Sequence, residues 1–266
     1  MDRNNCIDFL QWALPKMSMQ WKGFKKVHDQ VCKRINRRIK NLQLSYYNAY
    51  QVYLELNPSE WEVLDELCRI TISRFFRDRY LFKKLEEIHL PHLLYKNKFL
   101  NCWSIGCASG EEPYSLAMIM NNLLEDERKR LDYYILATDA DQHLLDRAKE
   151  GRFNLSSIRE VPSTLVDKYF TMNDDTFFIK NLCKERVKYD RMDIRYEKPK
   201  DKFHVVLCRY LVATYYNKKM QVRLFSEILE LMENGAILVI GKHESLPPGL
   251  KKVEVIDDKR KIYRKI

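Results

Sequence analysis

A glycine-containing loop between an apolar strand and a helix constrains this chain more than any other stretch of its sequence. The apolar residues 100–105 lead into a loop with Gly106 and Gly110, and a helical segment begins at Glu111. Glycines in such a turn let the backbone approach a bound ligand closely. Glu111 and Glu112 stand at the helix start, where a phosphate would meet carboxylates. The loop therefore predicts a Rossmann-like site for a cationic ligand rather than for a phosphate.

A second acidic position supports this prediction and narrows the ligand. Asp139 follows the apolar stretch 134–138. In Rossmann-like folds, an acidic residue at the tip of the second strand holds the hydroxyls of a ribose. A ligand with a ribose, an amino group and a positive charge would satisfy both features. Together they predict S-adenosylmethionine rather than a nucleotide.

The rest of the chain divides into a helical part and an alternating part. Residues 1–85 show helical periodicity, whereas strand candidates alternate with helices from about residue 99, which predicts a mostly parallel sheet flanked by helices. We therefore predict an α/β fold, with a small all-helical domain over residues 1–85 and a Rossmann-like domain over 86–266 that ends in a C-terminal hairpin. The strand candidates are 100–105, 133–138, 186–190, 203–208, 236–240, 253–256 and 261–264, and the helix candidates are 112–123, 142–149 and 217–232.

Composition is that of a globular protein and suggests a compartment. The chain has 266 residues, of which 45% are hydrophobic, enough for a substantial core. We find no signal peptide and no apolar run of membrane-spanning length. The seven cysteines form no Cys-x-x-Cys pair, so we expect reduced thiols and a cytoplasmic location. The six histidines are scattered, and we expect no metal site.

Positive charge is concentrated in one segment near the N-terminus. The net charge is +10, and the segment 22–40 has apolar residues at three- and four-residue spacing, which predicts an amphipathic helix with one basic face. Such a face is usually only solvated, but it could dock an acidic protein surface or nucleic acid. Its basic residues are Lys22, Lys25, Lys26, Lys33, Arg34, Arg37, Arg38 and Lys40.

Several motifs together resemble one family, the CheR-type S-adenosylmethionine-dependent protein-glutamate methyltransferases of bacterial chemotaxis. The resemblance extends from about residue 20 to 264. It implies a helical N-terminal domain linked to a Rossmann-like domain that carries a small antiparallel flap, here near residues 170–193. The motifs are Thr71-Ile-Ser-Arg-Phe-Phe-Arg77, Gly106-Cys-Ala-Ser-Gly-Glu-Glu-Pro-Tyr-Ser115, Ala137-Thr-Asp-Ala-Asp141 followed by Leu145-Asp-Arg-Ala-Lys-Glu-Gly151, Leu207-Cys-Arg-Tyr-Leu-Val-Ala-Thr-Tyr-Tyr-Asn217 and Gly241-Lys-His-Glu244.

The resemblance also implies which residues bind the cofactor. Carried over position by position, the resemblance places Thr71, Ser73 and Arg77 at the methionine end of the cofactor and Glu111 at its amino group. Asp139 would contact the ribose, and Asp193 and Ile194 would contact the adenine. Gly106, Ala108, Gly110 and Arg209 would complete the site.

Two residues would face the methyl group and its acceptor, Arg77 and Tyr215. A glutamate carboxylate is ionised at neutral pH, so its methylation needs no general base. It needs in-line alignment with the methyl group. A guanidinium can hold one carboxylate oxygen while the other attacks.

The chain departs from the family pattern at a few places. The family often has Cys-Arg-Asn where this chain has Tyr210 after Arg209, and Tyr215 lies one residue further along. The flap segment contains no glycine and is shorter than in members that bind a receptor tail, so we expect no tail recognition. Two alternatives stay open: a methyltransferase for nucleic acid or a small molecule, and a cofactor-binding protein that acts by interaction without catalysis.

Overall fold

The computed structural model describes residues 3–125 and 132–266, and these residues form two compact units. One unit contains the described residues up to Thr71 together with Val212–Gln221, and the other contains Ile72–Leu211 and Val222–Ile266. The helices are α1 (Arg3–Lys16), α2 (Trp21–Phe24), α3 (His28–Asn41), α4 (Tyr47–Leu56), α5 (Glu60–Cys68), α6 (Arg79–Lys84), α7 (Leu90–Lys96), α8 (Glu111–Leu124), α9 (Gln142–Glu150), α10 (Leu155–Ile158), α11 (Ser163–Tyr169), α12 (Asn181–Lys184), α13 (Val212–Tyr215) and α14 (Lys218–Glu230), with a π-helical turn at Leu85–His89.

The larger unit is built on a seven-stranded sheet with the order β6-β2-β1-β7-β8-β10-β9. The first five strands in this order are parallel, and β10 pairs antiparallel with both β8 and β9. The predicted α/β fold with a C-terminal hairpin is therefore confirmed. The strands are β1 (Phe99–Ile105), β2 (Asp132–Asp139), β3 (Arg152–Asn154), β4 (Phe170–Asn173), β5 (Thr176–Ile179), β6 (Val187–Arg191), β7 (Phe203–Leu207), β8 (Met232–Val239), β9 (Val253–Asp257) and β10 (Ile262–Lys265).

The core of this unit explains why its central strands are almost continuously apolar. Both faces of a parallel sheet are covered, so alternation with polar residues is lost. In β1, Leu100, Cys102 and Trp103 are fully buried, and α8 buries the run 116–120. The strand ends that carry Ile105 and Asp139 are thus held rigidly in register, as the pairing of Ile105 with Thr138 shows.

A second, three-stranded antiparallel sheet has the order β3-β5-β4. β4 and β5 fall within the segment 170–193 that was predicted as a flap, whereas β3 precedes it. Its hairpin turns at Asp174, which has a φ of 51°. β6, which the flap prediction included at its end, pairs instead with β2 in the large sheet. Phe75 packs edge-on against Phe153 and Phe170, with ring centroids 4.7 and 5.2 Å apart. These contacts anchor the chain just before Arg77.

The prediction of one helix over residues 22–40 is wrong, because the segment forms two helices. α2 ends at Phe24, residues 25–27 form a turn, and α3 begins at His28. Gly23 packs so closely that an added Cβ would lie 2.3 Å from the carbonyl oxygen of Thr214 in α13. Only glycine allows this close backbone contact. The contact holds α2 against α13, so α2 does not continue along the axis of α3.

The prediction that all cysteines are reduced is also corrected. Cys6 in α1 and Cys32 in α3 form a disulfide with Cα atoms 6.0 Å apart. Both side chains are buried. The fold brings together two thiols that lie far apart in sequence, and no local spacing signals such a pair. The other five cysteines, Cys68, Cys102, Cys107, Cys183 and Cys208, are buried and do not take part in this disulfide.

Two of the predicted docking arginines stabilise the smaller unit instead. Arg34 donates hydrogen bonds to the carbonyl oxygens of Leu67 and Arg69. Arg38 pairs with both carboxylate oxygens of Glu60 at 2.9 and 2.7 Å, and the Tyr50 hydroxyl donates to the same carboxylate at 2.8 Å.

The pKa of Glu60 reflects these contacts. Burial raises it, but the hydrogen bonds from Arg38 and Tyr50 and the charge of Arg38 outweigh burial and hold the pKa below its ordinary value. The carboxylate is therefore more easily ionised in the folded chain than in the unfolded one.

We predict that Glu60→Gln lowers the free energy of unfolding by about 2–3 kcal/mol at neutral pH, since hydrogen bonds to a buried charged group are lost. Exposed Glu62 offers a matched control in Glu62→Gln, which should change little. The stabilisation by Glu60 is complete above its unfolded pKa of about 4.3 and is lost as pH falls through its lower folded pKa. Urea unfolding at several pH values measures both effects. An equal loss in the two variants would contradict the assignment.

Candidate active site

The loop between β1 and α8 is a tight turn at the carboxyl end of the parallel strands. Gly106, Ala108 and Gly110 all have positive φ, of 71°, 48° and 92°. The Gly106 amide donates to the carbonyl oxygen of Thr138 in β2 at 2.8 Å. A Cβ on Gly110 would lie 2.6 Å from the Tyr189 hydroxyl. Glycine is required here because both the backbone angle and the space exclude a side chain.

Glu111, the first residue of α8, is a buried carboxylate beside this loop. Its side chain accepts hydrogen bonds from the Ser109 hydroxyl at 3.1 and 3.0 Å and from Ser73. Burial raises its pKa, although these hydrogen bonds act in the opposite direction. Burial disfavours the ionised form of Glu111, and a ligand ammonium next to the carboxylate would favour that form again. This chemistry fits the amino group of S-adenosylmethionine.

Asp139 at the end of β2 ties the loop to the neighbouring strand. One of its carboxylate oxygens accepts from the Ala108 amide at 2.9 Å, and the other accepts from the Asp141 amide at 3.0 Å. These bonds fix the carboxylate of Asp139 at the strand ends, and a carboxylate is a hydrogen-bond acceptor of the kind that a ribose diol requires.

The third acidic position, Asp193, lies in the segment after β6. The Met192 amide donates to the carbonyl oxygen of Asp139 at 3.0 Å, which brings this segment to the same strand ends. The carboxylate of Asp193 forms a salt bridge with Arg195 at 2.6 Å, and Ile194 is buried. Ile194 therefore supplies an apolar surface, while Asp193 is already engaged in its own turn.

Arg209 is a second buried charge near these loops. Its side chain is 2% exposed and pairs with Glu112 at 2.9 Å and with Asp78 at 2.7 Å. It also donates to the carbonyl oxygen of Arg77 at 2.6 Å. The structure thus shows Arg209 joining three segments of the chain, and its predicted contact with the cofactor stays a prediction.

Arg77 lies next to this network with its guanidinium partly exposed. It donates to the carbonyl oxygen of Ile72 at 2.7 Å, and its Cζ is 3.9 Å from the centroid of the Tyr210 ring. This distance is typical of a cation–π contact. Arg77 keeps other N–H donors that could meet a carboxylate.

Two predicted site residues, Thr71 and Tyr215, belong to the smaller unit. The ring of Tyr215 packs on Phe24 with centroids 5.2 Å apart, and its carbonyl oxygen accepts from the Gln20 amide at 2.8 Å. Thr71 is exposed. Their roles at the site remain predictions.

Sequence reasoning missed three residues that organise the site: Asp78, Glu112 and Tyr210. Asp78 comes directly after the motif that ends at Arg77, while Glu112 and Tyr210 were noted only as an acid at the helix start and as a departure from the family pattern. The signal available was an acid beside Arg77, another beside Glu111, and a motif arginine, Arg209, that would need acidic partners if buried. That they converge on Arg209 could be seen only in the folded chain.

Among the described residues, no group of three or more His, Cys, Asp or Glu side chains could hold a metal ion. Over the same part of the chain, no helix is both long enough and apolar enough to cross a membrane.

Comparison with known proteins finds a matching family model and similar proteins. A family model described as CheR methyltransferase, SAM binding domain, matches residues 71–262. The chain is 30% identical over 84% of its length to a chemotaxis protein methyltransferase of Borreliella burgdorferi, of which the match covers 82%. It is 28% identical over 84% of its length to a probable chemotaxis protein methyltransferase of Rhizobium etli, with 86% of that protein covered. The corresponding protein of Listeria monocytogenes is 31% identical over 69% of this chain, with 70% of that protein covered.

These matches confirm the family and the cofactor expected from the sequence. The chain belongs to the CheR methyltransferase family and uses S-adenosylmethionine as its methyl donor.

Proposed function

We propose that this chain methylates glutamate side-chain carboxylates of a chemoreceptor or another acidic helical protein in the cytoplasm. The observation that carries the proposal is the family match over residues 71–262, since the similar proteins are named chemotaxis methyltransferases. A partly exposed guanidinium, that of Arg77, suits a carboxylate acceptor.

Several residues of the larger unit would each bind a different part of the cofactor. Buried Glu111 would bind the ammonium, and Asp139 would accept from the ribose hydroxyls. Ser73 already contacts Glu111, so it would support the methionine end, and Ile194 would cover the adenine. When bound, the cofactor supplies an electrophilic methyl group on a sulfonium.

The acceptor side requires orientation rather than proton transfer. A glutamate carboxylate is already ionised at neutral pH, so no residue has to act as a general base. Arg77 would hold one carboxylate oxygen and leave the other free to attack in line. Tyr215 would add a second, weaker contact as a phenol.

We predict that Glu111→Gln weakens binding of S-adenosylhomocysteine by about 10- to 150-fold, the equivalent of losing a hydrogen bond to a charged group at about 1.5–3 kcal/mol. In the unaltered chain, affinity should fall as pH falls through the raised pKa of Glu111, because the protonated carboxyl no longer attracts an ammonium. The variant should lose this pH dependence.

Calorimetric titration at several pH values measures this effect, with exposed Glu185→Gln as the matched control. Unchanged affinity in Glu111→Gln would remove Glu111 from the proposed site.

We predict that Arg77→Ala lowers kcat for methyl transfer much more than it lowers cofactor affinity, because its partner is the acceptor in the transition state. Tyr215→Phe should have the same effect more mildly. The assay transfers labelled methyl groups to receptor-containing lysate and measures release by mild base, which identifies a methyl ester.

Exposed Arg79→Ala serves as the control and should retain full activity. Base-stable label would contradict a carboxylate acceptor and favour methylation of nitrogen. Full activity of Arg77→Ala would show that the acceptor site lies elsewhere.

We further propose that a basic surface of the smaller unit docks the acidic substrate. We define this basic surface as the exposed residues Lys22, Lys25, Lys26, Lys33, Arg37 and Lys40. The last three lie at helical spacing along α3, opposite buried Val31, Ile35 and Ile39. Arg34 and Arg38 are excluded because both have internal partners.

We predict that the double charge reversal Lys33→Glu with Arg37→Glu raises KM for the protein substrate and leaves cofactor affinity unchanged. The reason is that exposed charges at the edge of an interface mainly change the rate of association with the partner. Added salt should weaken substrate binding of the unaltered chain as the Debye length falls below about 8 Å.

The matched control is Lys251→Glu with Lys259→Glu, which makes the same charge change at exposed positions near the C-terminus. Equal effects of the two pairs would mean that only net charge matters. Tight nucleic-acid binding in a gel-shift assay, lost in Lys33→Glu with Arg37→Glu, would support a nucleic-acid methyltransferase instead.

A further inference from the structure

Tyr210 occupies the position where the CheR family often has asparagine. The residues around Tyr210 contact its backbone and leave space for its ring. The backbone of Tyr210 has a φ of 55°, which is uncommon for a residue with a bulky side chain. Its amide donates to Glu244 at 2.8 Å, and the same carboxylate oxygen accepts from the Gly241 amide at 2.6 Å. A Cβ on Gly241 would lie 2.6 Å from Cε1 of the Tyr210 ring. Such a backbone persists only where its surroundings hold it.

The hydroxyl fixes the far end of the ring. It donates to Asp78 at 2.5 Å and accepts from the Lys242 amide at 3.2 Å. Asp78 in turn pairs with buried Arg209. Burial and the Asp78 contact raise the pKa of Tyr210 to about 12, so the phenol remains a neutral donor at physiological pH. The ring is therefore held at its backbone and at its hydroxyl.

The guanidinium of Arg77 lies over the face of this fixed ring. The Cζ of Arg77 lies 3.9 Å from the ring centroid, and one of its Nη groups donates to the carbonyl oxygen of Ile72. These two contacts restrain a side chain that otherwise samples many rotamers. A planar guanidinium can stack on an aromatic ring and still present N–H groups at its edge. Asparagine has no ring on which a guanidinium could stack.

We propose that Tyr210 is a positioning residue that holds the Arg77 guanidinium ready for the acceptor carboxylate. This inference rests on the proposed role of Arg77 in methyl transfer. Tyr210 acts through Arg77, and its contribution is preorganisation of one side chain before the acceptor arrives.

The first test asks whether the ring holds the guanidinium and does not depend on activity. In NMR spectra of arginine-labelled protein, the Arg77 side-chain signals are assigned by their absence in Arg77→Lys. We expect a ring-current shift of these signals in the unaltered chain that Tyr210→Phe retains and Tyr210→Leu abolishes. An identical Arg77 signal in the unaltered chain and in Tyr210→Leu would overturn the proposal.

The second test measures transfer of methyl esters to the protein substrate. Tyr210→Leu should lower kcat by about 10-fold or more with the dissociation constant of S-adenosylhomocysteine changed less than about threefold, while Tyr210→Phe keeps most of kcat. In the Arg77→Ala background, Tyr210→Leu should add little further loss, because the two residues act as a unit. Exposed Tyr196→Leu is the matched control.

The outcomes separate this inference from the proposed function. Equal fractional losses from Tyr210→Leu in the presence and absence of Arg77 would show a general structural role and overturn the inference. A failure of the proposed function has a different form, in which the unaltered chain yields no base-labile methyl ester. In that case the NMR comparison still decides whether Tyr210 holds Arg77.

Discussion

The buried guanidinium of Arg209 lies between the carboxylates of Asp78 and Glu112, and the arrangement around the loops of the larger unit depends on it. A buried cation is costly unless it is paired and hydrogen-bonded. Burial would lower the pKa of Arg209, but the two carboxylates raise it, so the charge persists. Asp78 precedes α6, Glu112 is the second residue of α8 and Arg209 follows β7. These two salt bridges therefore join three segments that are far apart in the chain.

The salt bridge with Arg209 also gives the two acids at the start of α8 different environments. The side chain of Glu112 accepts from the Ser104 hydroxyl and pairs with Arg209. Glu111 has hydroxyl partners and a raised pKa. Neighbouring glutamates thus have different environments, one neutralised within the protein and the other suited to a cationic ligand. A helix start with two acids can in this way serve structure and cofactor binding together.

The smaller unit shows how a strongly basic segment is divided between stability and surface charge. Arg34 and Arg38 turn inward to carbonyl oxygens and to Glu60, because α5 lies against α3 and buries Glu60. Lys33 and Arg37 remain exposed on the same helix. Positions one residue apart on a helix point in different directions. The charge available to a partner is therefore smaller than the composition suggests.

The sequence by itself determined the α/β fold, the limits of the strands of the large sheet within a few residues, the loop from Gly106 to Gly110 and the family. These features follow from local patterns: apolar runs, glycines where φ is positive, and motifs whose residues are close together in the chain. The strands β3, β4 and β5 of the second sheet were not among the strand candidates. Only the tertiary structure decided that Arg209 pairs with Asp78 and Glu112, that the Arg77 guanidinium lies over the Tyr210 ring, that Cys6 forms a disulfide with Cys32, and that α2 and α3 are separate helices. The physical reason is that burial and charge pairing depend on which distant segments the packed core brings into contact, and no periodicity along the chain records that choice.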